Sequence, residues 1–430
     1  MIRRLHGNTL FFCIVAIFAL FCSTEAYCCN KVILKQSANV QNQMKKENVT
    51  YIVKYNFDLK GSEISIPKDS QLQFQGGSFS NGIVKGNATE VSAGQYRIFT
   101  NVTLSGSWTN KTVYSEWLDF VESKKFDNAR NFKNLMLLCT GDKMTNLYMQ
   151  KGDFYCSVVT VSSNIKVPSN VYWHNSATIR QLTTDSPKFC FVLLQKCNNV
   201  TIDGGEFVGD VQSHTGTDGE WGHGIKVAGA TNVVLKNFVS REFWGDGIDL
   251  IEGEYNGTLR AGVGPCNKVT IDNVKCLYNR RQGLSIEAAW NVVVKNSEFA
   301  FTGKYKITSP GAGVDIEPWC TNETKIENIE FFNCFVHNNS SQRDFCLEPT
   351  IQYHVQTGKG KIAPVSKVVM KNCRLGKFYI YGAHTASIVN CEIDEISRYN
   401  YGKNVRIEGC TIKRKSDIKS RTGLTMKRCK

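Results

Sequence analysis

The chain has 430 residues, of which 42% are hydrophobic and 11% aromatic, and its formal net charge is +14. These values exclude a chain too small or too polar to bury a core, and they allow one large core or a long series of small stacked ones. A positive surface attracts acidic polymers, but no zinc finger or other nucleic-acid signature accompanies it, so we expect no nucleic-acid partner.

The N-terminus has the pattern of an export signal. Two arginines in the first four residues precede an apolar stretch over 10–21, and the small-residue site Thr24-Glu25-Ala26 follows it. We therefore predict a signal peptide over 1–26 and a secreted, periplasmic or cell-surface protein. An alternative is a lipoprotein acylated at Cys22. No later segment has 18 uninterrupted apolar residues, so we expect no membrane span.

The next two segments differ in periodicity. Residues 27–115 alternate in short apolar runs with glycine turns, which predicts a β-rich cap or early coils. Within 116–145, apolar residues recur at helical spacing between 126 and 139. We expect a short helix there, covering the open N-terminal end of the strands that follow over 146–430.

An internal repeat decides the fold class. The pattern apolar-x-apolar-x-(Asn or Gly) occurs eight times, and its turn residues are Gly204, Asn237, Asn273, Asn296, Asn333, Asn372, Asn390 and Gly409. Period-2 spacing gives a strand with one buried face, and Asn or Gly tolerates the left-handed backbone of a tight turn. The closest copies are 18 and 19 residues apart, which suits one coil of a solenoid. We predict an all-β, right-handed parallel β-helix, monomeric, with an asparagine ladder.

The cysteines fit the same repeat. The chain has 17, and 15 remain after the predicted signal, an odd number without close regular pairs. Four of them follow the turn residue in four successive copies: Cys334, Cys373, Cys391 and Cys410. We expect these small, soft side chains to pack in the interior rather than to bind metal or act in catalysis.

These repeats resemble the pectate-lyase-like superfamily of right-handed β-helices, in particular its exported bacterial members. The resemblance covers most of the mature chain. That superfamily includes polysaccharide lyases, polygalacturonase-type hydrolases, uronate epimerases, phage tailspikes and non-catalytic binders, so the resemblance implies a fold and a glycan ligand rather than one reaction.

A second repeated segment gathers acidic residues. Aligning it places Lys226, Asp249, Ser285, Asp315 and Cys346 in one outward column, with Glu287 and Glu317 in the next. Because like charges on neighbouring strands cost free energy, this patch indicates a site. The long loops 205–222, 252–268 and 302–312 would enclose it as a cleft. The alternative is a solvated sheet face whose acids pair with Arg280, Arg281 and Lys226.

Two chemistries could use this patch. Hydrolysis needs a carboxylic acid and a carboxylate, for which Asp249 with Asp246 or with Asp315 are candidates. Elimination would use Ca²⁺ held by Asp249, Glu287, Asp315 and Glu317, with Lys226, Arg280 or Arg281 as base. The full set of predicted site residues is His223, Lys226, Asp246, Asp249, Arg281 and Asp315 for catalysis, and Trp221, Trp244, Arg280, Ser285, Glu287 and Glu317 for substrate binding.

The motifs of the superfamily match only in part. Polygalacturonase-type hydrolases carry Asn-Thr-Asp, Asp-Asp, Gly-His-Gly and Arg-Ile-Lys on successive coils. This chain has Gly222-His223-Gly224 and Gly245-Asp246-Gly247, in reversed order and without the Asp-Asp and Arg-Ile-Lys motifs. Epimerases carry Asp-Pro-His-Glu. Residues 315–318 read Asp-Ile-Glu-Pro, which shares some residue types with that motif but not their order. The sequence therefore predicts an exported β-helix that cleaves a polysaccharide, acidic ones included, by hydrolysis or Ca²⁺-assisted elimination. The alternative is a non-catalytic glycan-binding or tailspike-like adhesin.

Overall fold

The structure is a computed structural model that describes residues 30–36, 39–160, 162–253, 264–318, 326–340, 343–347, 365–418 and 423–430. The predicted signal peptide and Cys22 lie outside these residues. No helix in the described part of the chain is long and apolar enough to cross a membrane.

The N-terminal part forms a parallel seven-stranded sheet. Its strands are β1 (Asn30–Ile33), β2 (Val49–Val53), β3 (Asn56–Asp58), β4 (Glu63–Ser65), β5 (Gln71–Phe74), β6 (Ser78–Ser92) and β7 (Phe99–Trp108). A single helical turn, α1 (Val40–Gln43), follows β1. Phe74, Phe79 and Phe99 pack edge-on or tilted inside it, with ring centroids 5.4–6.4 Å apart.

The rest of the chain forms a second, larger parallel sheet system. Its strands are β8 (Thr112–Tyr114), β9 (Thr145–Met149), β10 (Asp153–Cys156), β11 (Ile165–Lys166), β12 (Val171–Asn175), β13 (Thr178–Gln181), β14 (Lys188–Gln195), β15 (Asn198–Asp203), β16 (Glu206–Val208), β17 (Trp221–Ala228), β18 (Thr231–Lys236), β19 (Val239–Arg241), β20 (Ile248–Ile251), β21 (Cys266–Asp272), β22 (Lys275–Leu277), β23 (Gln282–Ile286), β24 (Ala289–Lys295), β25 (Glu298–Ala300), β26 (Ala312–Ile316), β27 (Ile326–Phe332), β28 (Phe335–His337), β29 (Phe345–Leu347), β30 (Val365–Lys371), β31 (Arg374–Val389), β32 (Glu392–Glu408), β33 (Thr411–Ile418) and β34 (Leu424–Lys427).

Each coil contributes three strands, because from β10 to β28 each strand pairs in parallel with the third strand after it. The fold is a right-handed parallel β-helix, as the repeat predicts. The first apolar position of all eight copies falls in one register: Val200, Val233, Val269, Val292, Ile329, Val368, Ala386 and Val405. Each of these side chains is buried, so the apolar column is a continuous core.

The predicted helix is present as α2 (Ala129–Leu138). The Asn134 side chain makes two hydrogen bonds with the backbone of β7. It accepts one from Leu104 N at 3.0 Å and donates one to Val102 O at 2.8 Å. The helix therefore packs on the last strand of the N-terminal sheet. It also contacts β11, in the first coil of the larger sheet system, so a short helix is present on the N-terminal side of the β-helix.

The turn residues form the predicted asparagine ladder. Asn237, Asn273, Asn296, Asn333, Asn372 and Asn390 have φ between 51° and 60°. Asn273 Nδ2 donates to Asn237 Oδ1 at 3.0 Å. A second ladder, which the repeat did not predict, runs at the other end of the same strands and includes Asn232 donating to Asn199 at 2.7 Å.

Substitutions at Asn273 separate the two roles of a ladder residue. Asn273→Ala removes the side-chain hydrogen bond to Asn237. It also leaves an alanine in the left-handed backbone region, where it has no polar group to form a local hydrogen bond. We therefore expect the unfolding free energy to fall by about 1–2 kcal/mol. Asn273→Gly loses only the bond and should cost about half as much. Thermal unfolding of both variants checks this, and equal midpoints would contradict it.

The cysteine column is also confirmed. Cys334, Cys373, Cys391 and Cys410 are buried free thiols. The amide of Cys373 donates to the sulfur of Cys391 at 3.4 Å, and that of Cys391 to the sulfur of Cys410 at 3.3 Å. These thiols stack along the axis as interior packing.

Candidate functional site

The predicted acidic column forms in the register read from the repeats. Lys226 on β17 pairs with Asp249 on β20, which pairs with Ser285 on β23. Ser285 in turn pairs with Asp315 on β26, and Asp315 with Cys346 on β29. Stacked strands lie about 4.8 Å apart, so these side chains share one face. We call the sheet of β14, β17, β20, β23, β26 and β29 the site sheet.

The expectation that this column lies on an open surface is wrong. Lys226, Asp249, Ser285, Asp315 and Cys346 are each at most 2% exposed. Glu287 and Glu317, in the next column, are half-buried. The charged groups therefore form a buried floor below a partly exposed rim, rather than a solvated sheet face.

Glycines on either side of His223 and Asp246 allow the close packing that places these two residues in the buried floor. Each follows one glycine and precedes another, in Gly222-His223-Gly224 and Gly245-Asp246-Gly247. A Cβ at Gly245 would lie 2.9 Å from His223 Nδ1, and one at Gly224 would lie 2.6 Å from the Phe243 ring. Close approach of the backbones, rather than an unusual φ, thus requires glycine here.

His223 lies between two carboxylates. Its Nδ1 accepts from the Asp246 amide at 3.2 Å and lies 3.2 Å from Asp246 Oδ2. Its Nε2 lies 3.8 Å from Asp249 Oδ2. Because Nδ1 accepts a backbone N–H, the neutral ring carries its proton on Nε2, on the side of Asp249.

Two cations hold the acids. Lys226 Nζ lies 2.8 Å from Asp249 Oδ2. Arg281, just before β23, donates through Nη1 to Asp246 Oδ2 and through Nη2 to Glu317 Oε1, both at 3.0 Å. The alternative prediction of acids paired with basic residues is thus correct for Lys226 and Arg281, although the groups are buried.

Glu317 has further donors that the sequence reading did not assign. Gln282 Nε2 donates to Glu317 Oε1 at 2.7 Å, and the Ser285 hydroxyl donates to the same oxygen at 3.1 Å. Gln282 also donates to Asp315 Oδ2 at 3.3 Å. The sequence feature that could have identified Gln282 as a site residue is its position at the start of the repeated segment, next to Arg281.

Burial shifts the pKa values of these groups in different directions. It lowers the pKa of His223 well below its ordinary value, and the charge of Lys226 adds to this effect. Burial raises the pKa of Asp246 to about 6, although Arg281 opposes it. Burial, together with the charges of Asp249 and Glu317, raises the pKa of Glu287 well above its ordinary range. Burial therefore favours the neutral forms of the His223 imidazole and of Glu287, beside carboxylates bound to cations.

These contacts do not fit the predicted Ca²⁺ cage. Lys226 forms an ion pair with Asp249, and Arg281 forms one with Glu317. Burial lowers the pKa of Lys226, but the charges of Asp249 and Glu287 outweigh it and keep the ammonium protonated. No group of three or more possible metal ligands occurs among the described residues. A Ca²⁺ ion would have to displace cations that the chain supplies itself.

The two predicted tryptophan platforms have different surroundings. Trp221 is 44% exposed at the start of β17, with Lys188 Nζ 5.6 Å from its ring centre. Trp244 is 2% exposed, stacked on His214 at 3.8 Å and covered by the Arg280 guanidinium at 3.8 Å. Trp244 therefore cannot stack on a sugar in this conformation, whereas Trp221 can.

Arg280 and Trp244 instead fasten the loop before β17. Arg280 Nη1 donates to Gly219 O at 2.7 Å, and Trp244 Nε1 donates to Asp218 O at 3.1 Å. Lys306 donates to His214 O at 2.8 Å, which joins the loop after β25 to the same cluster. These residues position one wall of the site, and the predictions of Arg280 as a sugar contact or a base are not supported.

The raised pKa of Asp246 predicts a stability effect with a defined pH dependence. The folded pKa of about 6 exceeds the ordinary value of 3.8, so ionisation costs more in the folded state, and this penalty is complete above pH 6. We expect Asp246→Asn to raise the unfolding free energy by about 1–3 kcal/mol at pH 7–8. The difference should vanish below pH 4. Denaturant unfolding at both pH values checks this, and a gain that persists at low pH would contradict it.

Comparison with known proteins identifies distant relatives. No family model matches the chain. The uncharacterized protein YclG of Bacillus subtilis (strain 168) is 26% identical over 186 residues, which cover 41% of this chain and 31% of YclG. The SPbeta prophage-derived uncharacterized protein YorA of the same strain is 23% identical over 237 residues, covering 50% of this chain and 40% of YorA. The chain thus spans less than half the length of either relative.

Solved structures with a similar shape include a tailspike protein, gp49, from the Acinetobacter baumannii bacteriophage Fri1, a capsular polysaccharide depolymerase. Its TM-score is 0.48 at 15% identity, covering 74% of this chain and 57% of gp49. The A-module of the Azotobacter vinelandii mannuronan C-5 epimerase AlgE4 gives a TM-score of 0.49 at 12% identity, covering 74% and 95%.

Proposed function

We propose that this chain is an exported enzyme that hydrolyses a polysaccharide at the site sheet. The observation that carries the proposal is the division of roles among closely packed carboxyl groups. Burial and the charges of Asp249 and Glu317 favour the protonated form of Glu287, whereas the Asp249 carboxylate lies 2.8 Å from Lys226 Nζ. Environments that push the protonation of neighbouring acids apart are how glycosidases obtain an acid and a base from two similar residues.

The arrangement supports an inverting reaction. Asp249 pairs with Ser285, and Glu287 follows the end of β23, two residues beyond Ser285. The charge of Asp249 contributes to the raised pKa of Glu287, so the two acids are close enough to interact. An inverting reaction needs about 6.5–9.5 Å between acid and base, which leaves room for a water molecule.

Exposure suits the same assignment. Glu287 is half-buried at the rim, where a glycosidic oxygen can reach it, whereas Asp249 is fully buried on the floor. Glu287 donates its proton to the leaving oxygen, and Asp249 accepts a proton from the attacking water molecule. His223 and Lys226 orient Asp249. The exposed ring of Trp221 offers a face to a neighbouring sugar.

The test is incubation of the purified protein with a panel of neutral and uronic-acid polysaccharides, with Ca²⁺ or with a chelator. The proposal expects new reducing ends that are insensitive to chelator, and inversion of the anomeric configuration by NMR. Glu298→Gln is the matched control, since Glu298 pairs with Lys275 and His337 on a neighbouring sheet. Unsaturated products formed only with Ca²⁺ would overturn hydrolysis in favour of elimination.

A second candidate is a glycan-binding adhesin. It is favoured by the complete burial of Asp246 and Asp249, which lets no sugar ring contact either carboxylate directly. Glycan binding without product formation, unchanged by Asp249→Asn, would establish this alternative.

A further inference from the structure

A row of aromatic rings lies on the sheet next to the site sheet. Tyr278 and Phe301 directly follow β22 and β25, and their rings stack with centres 4.8 Å apart. Tyr305, in the loop after β25, stacks on Tyr278 at 5.2 Å. His337 on β28 lies edge-to-face with Phe301 at 5.6 Å and stacks on Phe335 at 3.6 Å. These five rings are continuous over three adjacent coils, and we call them the aromatic ridge.

The turns that carry Tyr278 and Phe301 do not require rings. Both residues have a left-handed backbone, with φ of 58° and 61°. The residue at the same place in the next coil is Asn338, with φ of 56°. Asparagine adopts this conformation readily, whereas a bulky side chain is strained in it. The chain thus keeps a stacked aromatic pair at positions where asparagine would complete the turn, which indicates that the rings serve a purpose other than folding.

The aromatic ridge is accessible to a ligand. Tyr305 is 48% exposed, more than any other aromatic side chain in the described part of the chain, and Ile307 near it is 54% exposed. The other four rings are partly exposed. At about 200 Å² for each aromatic side chain, the patch presents roughly 400 Å² of mostly apolar surface. Apolar patches of this size on soluble proteins are often functional. A stable protein partner needs about 800 Å² from each side, so the patch suits a few sugar rings better than a protein.

The loops that carry the aromatic ridge also build the wall of the site. Tyr305 precedes Lys306, whose Nζ donates to His214 O at 2.8 Å. Tyr278 lies two residues before Arg280, which donates to a backbone carbonyl of the loop before β17. The ridge therefore borders the site sheet, and a long polymer that leaves the site over this wall meets the exposed ring of Tyr305.

We propose that the aromatic ridge is a second glycan-binding site, which holds units of the polysaccharide that lie beyond the cleaved bond. A sugar ring has C–H groups on its faces and hydroxyls around its edge, so one face can stack on an aromatic ring while the hydroxyls stay in water. This inference rests on the proposed function, since the polymer bound at the ridge is the one cleaved at the site sheet.

The binding test uses the full chain with Asp249→Asn as background, so that the polymer is not cleaved during the measurement. Affinity electrophoresis in gels that contain alginate, polygalacturonate, xylan or mannan gives a dissociation constant for each polymer. Adding Tyr305→Ala should weaken the binding of at least one polymer by about two- to tenfold, as expected for one lost stacking contact. Phe335→Ala, at the other end of the ridge and outside the loop, should weaken binding of the same polymer. Tyr55→Ala removes a ring that is 42% exposed between β2 and β3, and should leave binding unchanged.

Kinetics separate a binding role of Tyr305 from a structural one. In the active chain, Tyr305→Ala should raise KM for the polymer, leave kcat unchanged, and have no effect on a short aryl glycoside that does not reach the ridge. Equal losses on the polymer and the aryl glycoside would show that Tyr305 only positions the wall, and would overturn the inference. Polymer binding unchanged by both Tyr305→Ala and Phe335→Ala, or no binding of any polymer, would overturn it as well.

The same experiments distinguish failure of this inference from failure of the proposed function. Binding that depends on Tyr305 and Phe335, without cleavage by the unsubstituted chain, would refute the proposed hydrolysis and leave the ridge as a glycan-binding site. Cleavage of a polymer whose binding neither variant changes would refute the ridge and leave the hydrolysis standing.

Discussion

Asp249→Asn is expected to lower kcat on the polysaccharide substrate by about 10²–10⁴-fold, since general base assistance is worth that much. The variant should remain folded. Lys226 also interacts with Glu287, which can ionise and take over as its counter-charge once Asp249 is neutral. The measurement is the rate of reducing-end formation, together with a thermal unfolding profile of the same sample.

The controls for this prediction separate chemistry from stability. Glu298→Gln changes a carboxyl group outside the site and should retain full activity. Glu287→Gln removes the proposed acid, so it should suppress cleavage of the natural polymer more than that of an aryl glycoside with a good leaving group. If Asp249→Asn kept more than about a tenth of the activity, Asp249 would not be the base.

Lys226→Met is expected to lower the unfolding free energy by about 3–5 kcal/mol, because it leaves the Asp249 carboxylate buried without its cation. The loss comes from an uncompensated buried charge. Denaturant unfolding at neutral pH measures it.

A double variant and a surface pair test the physical reason. Lys226→Met combined with Asp249→Asn removes both charges and should recover most of the lost stability. Lys236→Met breaks the partly exposed pair with Asp203, which lies at 3.2 Å, and should cost less than about 1 kcal/mol. Similar losses for Lys226→Met and Lys236→Met would show that the buried pair contributes no more than a surface pair.

The repeats alone determined the fold and the register. A period of two, closed by Asn or Gly, leaves one way to stack successive coils, and a slip by one residue would turn Val233 or Val269 out of the core. The same register brought Lys226, Asp249, Ser285 and Asp315 together as predicted. The cysteine column followed from the same periodicity.

Only the tertiary structure decided the state of the site. Burial of the Lys226–Cys346 column depends on rim side chains and loops that are distant in sequence. Strand periodicity therefore predicts an open face, whereas the members of the column are at most 2% exposed. The pairing of Lys226 and Arg281 with the acids, which does not fit Ca²⁺, depends on side-chain directions that periodicity does not specify. Trp244 looked like a sugar platform because its partners His214 and Arg280 lie 30 and 36 residues away along the chain. Strand periodicity is a local property and can be read from sequence, whereas desolvation and ion pairing depend on every neighbour in space.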